Sequence, residues 1–280
     1  MNNKLVLLAI ASVMGMAAQS ASATTITDRC MVITAPGDYL LTQNATRAAP
    51  TLTCFDIRTS NVTLDLGGHT IRGDHAGVGV ITPGLETRFG IKVINGTIAD
   101  FDDGINMPNA FGAVVQNINS SVNNVAGIRL GNGALVQKST VSHNGGDGIN
   151  VGAGSAVTDS TLESNKNGVV AGQGSLVKNI YSGFNTQMGI LIQENTAISE
   201  IHGNLAEASG KDGIRVACPA AVSGNPVTQF FPNKGKNFVV TIQDVVIQLT
   251  PIFEMQSVPC VVQKGTTIDH SSTPVDQTSQ

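Results

Sequence analysis

Tryptophan is absent from this 280-residue chain, tyrosine occurs twice, and charged residues make up only 13%. Sugar-binding modules usually stack pyranose rings on Trp or Tyr, so the presence of Tyr39 and Tyr181 alone disfavours a pure carbohydrate-binding module. The low charge excludes a coiled coil, which needs far more Glu, Lys and Leu. A net charge of -4 argues against a nucleic-acid binder, and a hydrophobic content of 41% excludes a disordered chain. Beyond the N-terminus no segment is apolar for the ~18 residues of a membrane span. No CxxC pair is present, which disfavours a zinc site.

The N-terminus has its own logic. Lys4 precedes an apolar run from Leu5 to Ala18, and Ala21-Ser22-Ala23 is a small-x-small cleavage pattern. Residues 1–23 therefore read as a signal peptide cleaved near Ala23, giving a secreted or periplasmic protein. Without Lys4, 15 basic residues face 20 acidic ones, a balance of -5. In an oxidising compartment the four cysteines read as two disulfides. Of the three connectivities, the local one, Cys30 with Cys54 and Cys218 with Cys260, staples each end of an elongated body.

The middle of the chain repeats. Gly followed by a branched apolar residue recurs at Gly104-Ile105, Gly127-Ile128, Gly148-Ile149, Gly168-Val169, Gly189-Ile190 and Gly213-Ile214, at steps of 23, 21, 20, 21 and 24 residues. A second column holds Val93, Val115, Val136, Val157, Val177 and Ile198, and a third holds Asn124, Asn144, Asn165, Asn185 and Asn204. A unit of about 21 residues can bury its apolar face only against its neighbours, which is the logic of a solenoid. Short alternating stretches such as Ile128-Arg129-Leu130, set between Gly, Asn and Ser turns, have strand periodicity. The predicted fold is all-β: a parallel β-helix whose coils contribute short strands to three long sheets. Stacked asparagines would bond up the stack, and glycine at each strand start would admit a turn that a Cβ obstructs.

The run Asn61-Val62-Thr63-Leu64-Asp65-Leu66-Gly67-Gly68-His69-Thr70-Ile71-Arg72-Gly73, followed by the Gly-Ile coils, resembles the right-handed parallel β-helix proteins of the pectate-lyase-like superfamily. The resemblance implies an N-terminal cap over 24–55, coils over 56–217 and a C-terminal cap over 218–263, with a hairpin within Phe238 to Leu249 one way to close it. Residues 264–280, rich in Ser, Thr, Gln and Pro, read as a flexible tail. It also implies an active site on the outer face of one sheet, built from neighbouring coils. The superfamily includes polysaccharide lyases, glycoside hydrolases and members with no known chemistry, so fold alone does not choose among them.

Polar residues in register supply the candidates. Asp103, Asp147, Arg129 and His143 fall on adjacent coils as candidate catalytic groups, with Asp102, Asn106, Asn150, Lys211 and Arg215 as candidate substrate-binding groups. A hydrolase would use Asp103 and Asp147 as a carboxylate pair two coils apart. A lyase would need a base and a cation, the latter being Arg129, Lys211, Arg215 or a calcium held by Asp102, Asp103 and Asp147. No pattern specifies a metal ligand set. The same residues also suit plain turn chemistry, and Lys211-Asp212 an exposed ion pair. Two functions follow: an exported lyase-like or hydrolase-like enzyme acting on an acidic polysaccharide of the cell envelope or its surroundings, or a non-catalytic scaffold there. Oligomeric state is not written in the sequence.

Overall fold

In the computed structural model, the described residues are 25–47, 53–193, 197, 199–217 and 220–225, with the strand backbones of Phe238–Thr241 and Val261–Val262. The putting-together of one coil shows the rule for all. Ala126–Leu130 forms a first strand, Leu135–Gln137 a second and Thr140–Ser142 a third, and the chain then returns at Ile149–Val151 to pair in parallel with the first. About eight such turns build an all-β, right-handed parallel β-helix, without a helix among the described residues. First strands form a ten-stranded sheet, here sheet 1. Second and third strands form sheets 2 and 3, which join into one 17-stranded sheet because Ile91–Ala99 and Val114–Ser121 run through the bend between them.

The apolar columns face inward, as period-2 alternation requires. Ile105, Ile128, Ile149, Val169, Ile190 and Ile214 pair in register down sheet 1 and are at most 3% exposed. In sheet 2, Val93, Val115, Val136, Val157 and Val177 are fully buried, but the residue opposite Val177 is Ile201, not Ile198. The extra residues of that coil fall between strands Ile190–Ile192 and Ser199–His202, so a fixed step of 21 lands three residues early. Ile198 itself lies outside the described residues.

The asparagine column is also redrawn. One buried ladder runs Asn123, Asn144, Asn165, Asn185 at the corner between sheets 3 and 1. Asn123 Nδ2 donates to Asn144 Oδ1 at 2.8 Å, and Asn144 Nδ2 to Asn165 Oδ1 at 2.9 Å. The backbone N–H groups of Asn123, Asn144 and Asn165 donate to the Oδ1 of the next coil's asparagine. Asn124 is exposed and sits outside this ladder, donating instead to the His75 carbonyl at 2.7 Å. Asn204 belongs to a different ladder, between sheets 2 and 3, where Ser139 and Ser160 precede it and Asn225 follows. At the corner between sheets 1 and 2, Ser155 and Ser175 do the same work.

The strand-start glycines are required by close approach. A Cβ on Gly127 would stand 2.7 Å from the Gly148 carbonyl oxygen and 2.9 Å from Asn144 Nδ2. The glycine column and the asparagine ladder are thus one steric arrangement.

Parallel pairing already begins within the segment expected as a cap: Thr25–Thr27 pairs with Gly37–Leu41, and Met31–Ile33 with Thr53–Ile57. Cys30 and Cys54 are bonded, one coil apart, at a sequence separation of 24. Toward the other end, Phe238–Thr241 pairs in parallel with Ile214–Ala217 as a further strand of sheet 1, while the rest of the run to Leu249, where a closing hairpin was expected, lies outside the described residues. The predicted signal peptide, the Cys218–Cys260 pairing and the tail lie outside the described residues.

Two outcomes test this account. Asn144→Ala removes a buried amide bonded on both sides and should lower the unfolding free energy by on the order of 3 kcal/mol in urea denaturation. Asn124→Ala should change it by less than about 1 kcal/mol; equal losses would remove the distinction between the two neighbours. Val122, exposed with φ 58°, is a β-branched residue in the left-handed region. Val122→Asn should raise stability by about 0.5–1 kcal/mol, and a drop in melting temperature would contradict that reading.

Candidate functional site

The outer face of sheet 1 carries a tetrapeptide device. Asp103-Gly104-Ile105-Asn106 and Asp147-Gly148-Ile149-Asn150 each place an aspartate just before the strand glycine and an asparagine on the following outward position. Within each, the asparagine Nδ2 donates to the aspartate Oδ2, at 2.7 Å from Asn106 to Asp103 and 2.9 Å from Asn150 to Asp147. Asp212-Gly213-Ile214-Arg215 repeats the geometry with an ion pair, Arg215 Nε lying 2.9 Å from Asp212 Oδ2. Asp212 thus pairs with Arg215, while the exposed Lys211 is placed by its backbone N–H on the Gln187 carbonyl.

Between the first two clamps the pattern changes. Ala126 stands where the neighbouring coils have aspartate, so Arg129 has no carboxylate in its own coil. It stacks directly between Asn106 and Asn150. Its Nη1 is 3.9 Å from Asp103 Oδ2, beyond hydrogen-bond distance, and its side chain is 38% exposed. Asp103 itself is 8% exposed, and its Oδ1 accepts the Ala126 N–H at 3.1 Å. Asp147 Oδ1 accepts from Asn167 Nδ2 at 2.8 Å. With a strand spacing of about 4.8 Å, the two aspartates stand about 10 Å apart along the axis.

The remaining candidates are elsewhere. Asp102 is turned into the corner: its Oδ2 accepts the Gly77 N–H at 2.8 Å and its Oδ1 the Asn124 side-chain amide at 3.2 Å. His143 is an exposed corner residue with φ 56°, following the third strand of its coil, away from the sheet 1 row. Among the described residues no three His, Cys, Asp or Glu side chains gather as a metal-holding group, so Asp102, Asp103 and Asp147 do not form the calcium cage considered above.

Two groupings escaped the sequence reading. Phe89 and Phe111, half-exposed, pair at 6.1 Å where the chain leaves sheet 1; their equivalence was hidden because they sit outside the repeat columns. On sheet 3, Tyr181 donates its hydroxyl to Glu207 Oε1 at 2.8 Å across Gly183, where a Cβ would lie 2.6 Å from the phenol oxygen. Glu163, Gly183 and Glu207 occupy one register position on successive coils. Burial, then the bond and charge of Glu207, then Glu163 push the Tyr181 phenol up to about 12.

No family model and no curated protein matches the sequence. Solved structures do match. The Dettilon tailspike protein is 12% identical with a TM-score of 0.47, over 79% of this chain and 61% of that one, so the chain spans about three fifths of the tailspike. The A-module of mannuronan C-5 epimerase AlgE4 from Azotobacter vinelandii is 14% identical with a TM-score of 0.52, over 68% of each chain. Pectate lyase Pel9A is 13% identical with a TM-score of 0.46, over 74% and 69%. At these identities the likeness is one of fold alone, that of a parallel β-helix.

The phenol supplies a pH test. The folded chain keeps the Tyr181 proton to about pH 12 while the free phenol, at 10.0, gives it up earlier. Stability from this group is therefore complete below pH ~10 and lost as pH rises from there toward ~12. In a Tyr39→Phe background, phenolate absorbance should titrate near 12 and move down in Glu207→Gln; a midpoint unmoved by that change would contradict the pairing.

Proposed function

We propose that the protein is an exported enzyme acting on an acidic polysaccharide, with the outer face of sheet 1 as its active surface and a lyase-type reaction as its chemistry. The observation that carries this reading is Arg129, the guanidinium left without a carboxylate in its own coil, framed by the Asp103 and Asp147 clamps. A guanidinium binds a planar carboxylate with two parallel hydrogen bonds, so a uronate carboxylate fits the vacancy that Ala126 creates. Neutralising that carboxylate acidifies the adjacent C–H. Asp103, the nearer carboxylate, accepts the proton, the C4–O4 bond breaks, a C4=C5 double bond forms, and the leaving oxygen takes a proton from solvent.

Hydrolysis by the same pair is less well supported. A separation of about 10 Å is at or beyond the upper end for an inverting pair, and one carboxyl would have to hold a proton. Export is supported by the charged-then-apolar N-terminal run and by the Cys30–Cys54 bond, which persists in oxidising compartments. No helix among the described residues is long and apolar enough to cross a membrane.

The test is turnover of polyuronates against neutral glycans, with and without calcium, reading the ultraviolet absorbance of the unsaturated product and the release of reducing ends. Arg129→Ala should lower kcat/KM by on the order of 100-fold or more, with Arg129→Lys recovering part of it. Reducing ends without unsaturation would replace the lyase reading by hydrolysis. Silence over a broad panel would leave the rod as a non-catalytic envelope scaffold.

A further inference from the structure

A second polar surface lies at the bend between sheets 2 and 3, on coils that also carry Arg129 and Asp103. It is a cleft of about 270 Å³ with two rows of side chains along its walls. One row is Asn95, Asn117 and Lys138, successive left-handed residues with φ of 58°, 54° and 51°. The other is Thr97, Asn119 and Thr140, paired in register on the outer face of sheet 3. Among the described residues, Lys138 is the sole charged one lining the cleft.

The two rows differ from the polar groups elsewhere on this solenoid. Inside the corners, Asn and Ser side chains are bonded to one another and to backbone. Asn95 and Asn117 keep part of that habit: Asn117 Nδ2 donates to Asn95 Oδ1 at 3.0 Å, and Asn95 Nδ2 reaches both Asp65 oxygens at 3.2 Å. The side chains of Thr97, Asn119, Thr140 and Lys138 make no hydrogen bond or ion pair among the described residues; the Lys138 charge acts at longer range, where the Asn179 hydrogen bond and then the charges of Lys178 and Lys138 hold the Asp159 carboxyl below its usual range. Asp159, the next residue of the Lys138 row, takes its hydrogen bond from Asn179. The cleft therefore presents hydroxyls, an amide and one ammonium to solvent, repeated along the axis at a strand spacing of about 4.8 Å.

We infer that this bend is a non-catalytic binding site for an extended acidic polysaccharide. Lys138 takes one carboxylate, and Thr97, Asn119 and Thr140 exchange hydrogen bonds with sugar hydroxyls. A polymer lying along the axis meets the same kind of group on each coil, and the single ammonium gives preference for an acidic chain over a neutral one. The ligand class rests on the reading of sheet 1 above; the site and its residues do not. Its role would be to hold the polymer on the rod while another stretch of it lies on sheet 1.

The test is affinity electrophoresis of the full chain through gels containing polygalacturonate or neutral dextran, beside turnover of short oligouronides. Lys138→Asn is the variant of choice, because asparagine already occupies the equivalent left-handed position at Asn117 and the corner keeps its geometry. Lys138→Asn should weaken retention by polygalacturonate about threefold to tenfold, Lys138→Glu more, and added salt should weaken the wild type. Arg129→Ala should lose turnover while keeping the part of the retention that Lys138→Asn abolishes, and Lys138→Asn should turn over short oligouronides at the wild-type rate. Retention unchanged in Lys138→Asn, or a wild type that polygalacturonate does not slow, overturns the inference. If oligouronides are turned over in that case, the sheet 1 reading survives alone. Lys138-dependent retention without turnover of any oligouronide upholds this site while the sheet 1 chemistry fails.

Discussion

A solenoid must satisfy its backbone at every corner, and here that requirement governs the rest. Strand pairing supplies partners along the flat faces, but each coil turns three times, and at each turn an N–H is directed away from the ladder of its own sheet. Buried side chains answer: Asn144 and Asn165 at one corner, Ser139, Ser160 and Asn204 at the second, Ser155 and Ser175 at the third. Leaving such a group unpaired in the interior costs about 1–3 kcal/mol. The need recurs on every coil, so it sets the repeat as firmly as the apolar columns do. Glycine at each strand start follows, since any side chain there would collide with the ladder beside it.

The outer surface is freed by the same arrangement. With the interior fixed by Ile, Val, Asn and Ser, outward positions can differ from coil to coil without disturbing the stack. On sheet 1 the Asp-Gly-Ile-Asn device occurs twice as a closed, self-satisfied unit, and between those two coils Ala126 stands in place of aspartate and opens Arg129. On the sheet 2 to sheet 3 bend, lysine in a row of left-handed asparagines is a comparable departure. Such departures are what distinguish the outer face of one coil from the next.

The sequence made the fold legible because the inward columns are nearly regular: the Gly-Ile column gives the register of sheet 1 without error. Errors arose where two residues competed for one place. Asn123 and Asn124 are adjacent and alike, and only burial distinguishes the ladder member. Asn204 matched the period yet sits at another corner, and Ile198 matched it while the longer coil put Ile201 opposite Val177. At the candidate site, the alignment of Asn106, Arg129 and Asn150 followed from the period. Chain proximity placed His143 and Asp102 with them, but His143 is at a corner and Asp102 is bonded into one. The Tyr181–Glu207 pair was hidden because its partners lie 26 positions apart with a glycine between them in space.

The ladders also change composition along the rod. In the earlier coils asparagine occupies the corner between sheets 3 and 1 and serine the corner between sheets 2 and 3; by Asn204 and Asn225 asparagine has moved to the latter. The rod is thus two blocks of like-with-like coils joined near Asn185. A duplicated coil must offer the same corner residue to the neighbour above and the neighbour below. Copies are compatible within either block, and the join is the place where this protein cannot be lengthened by simple repetition.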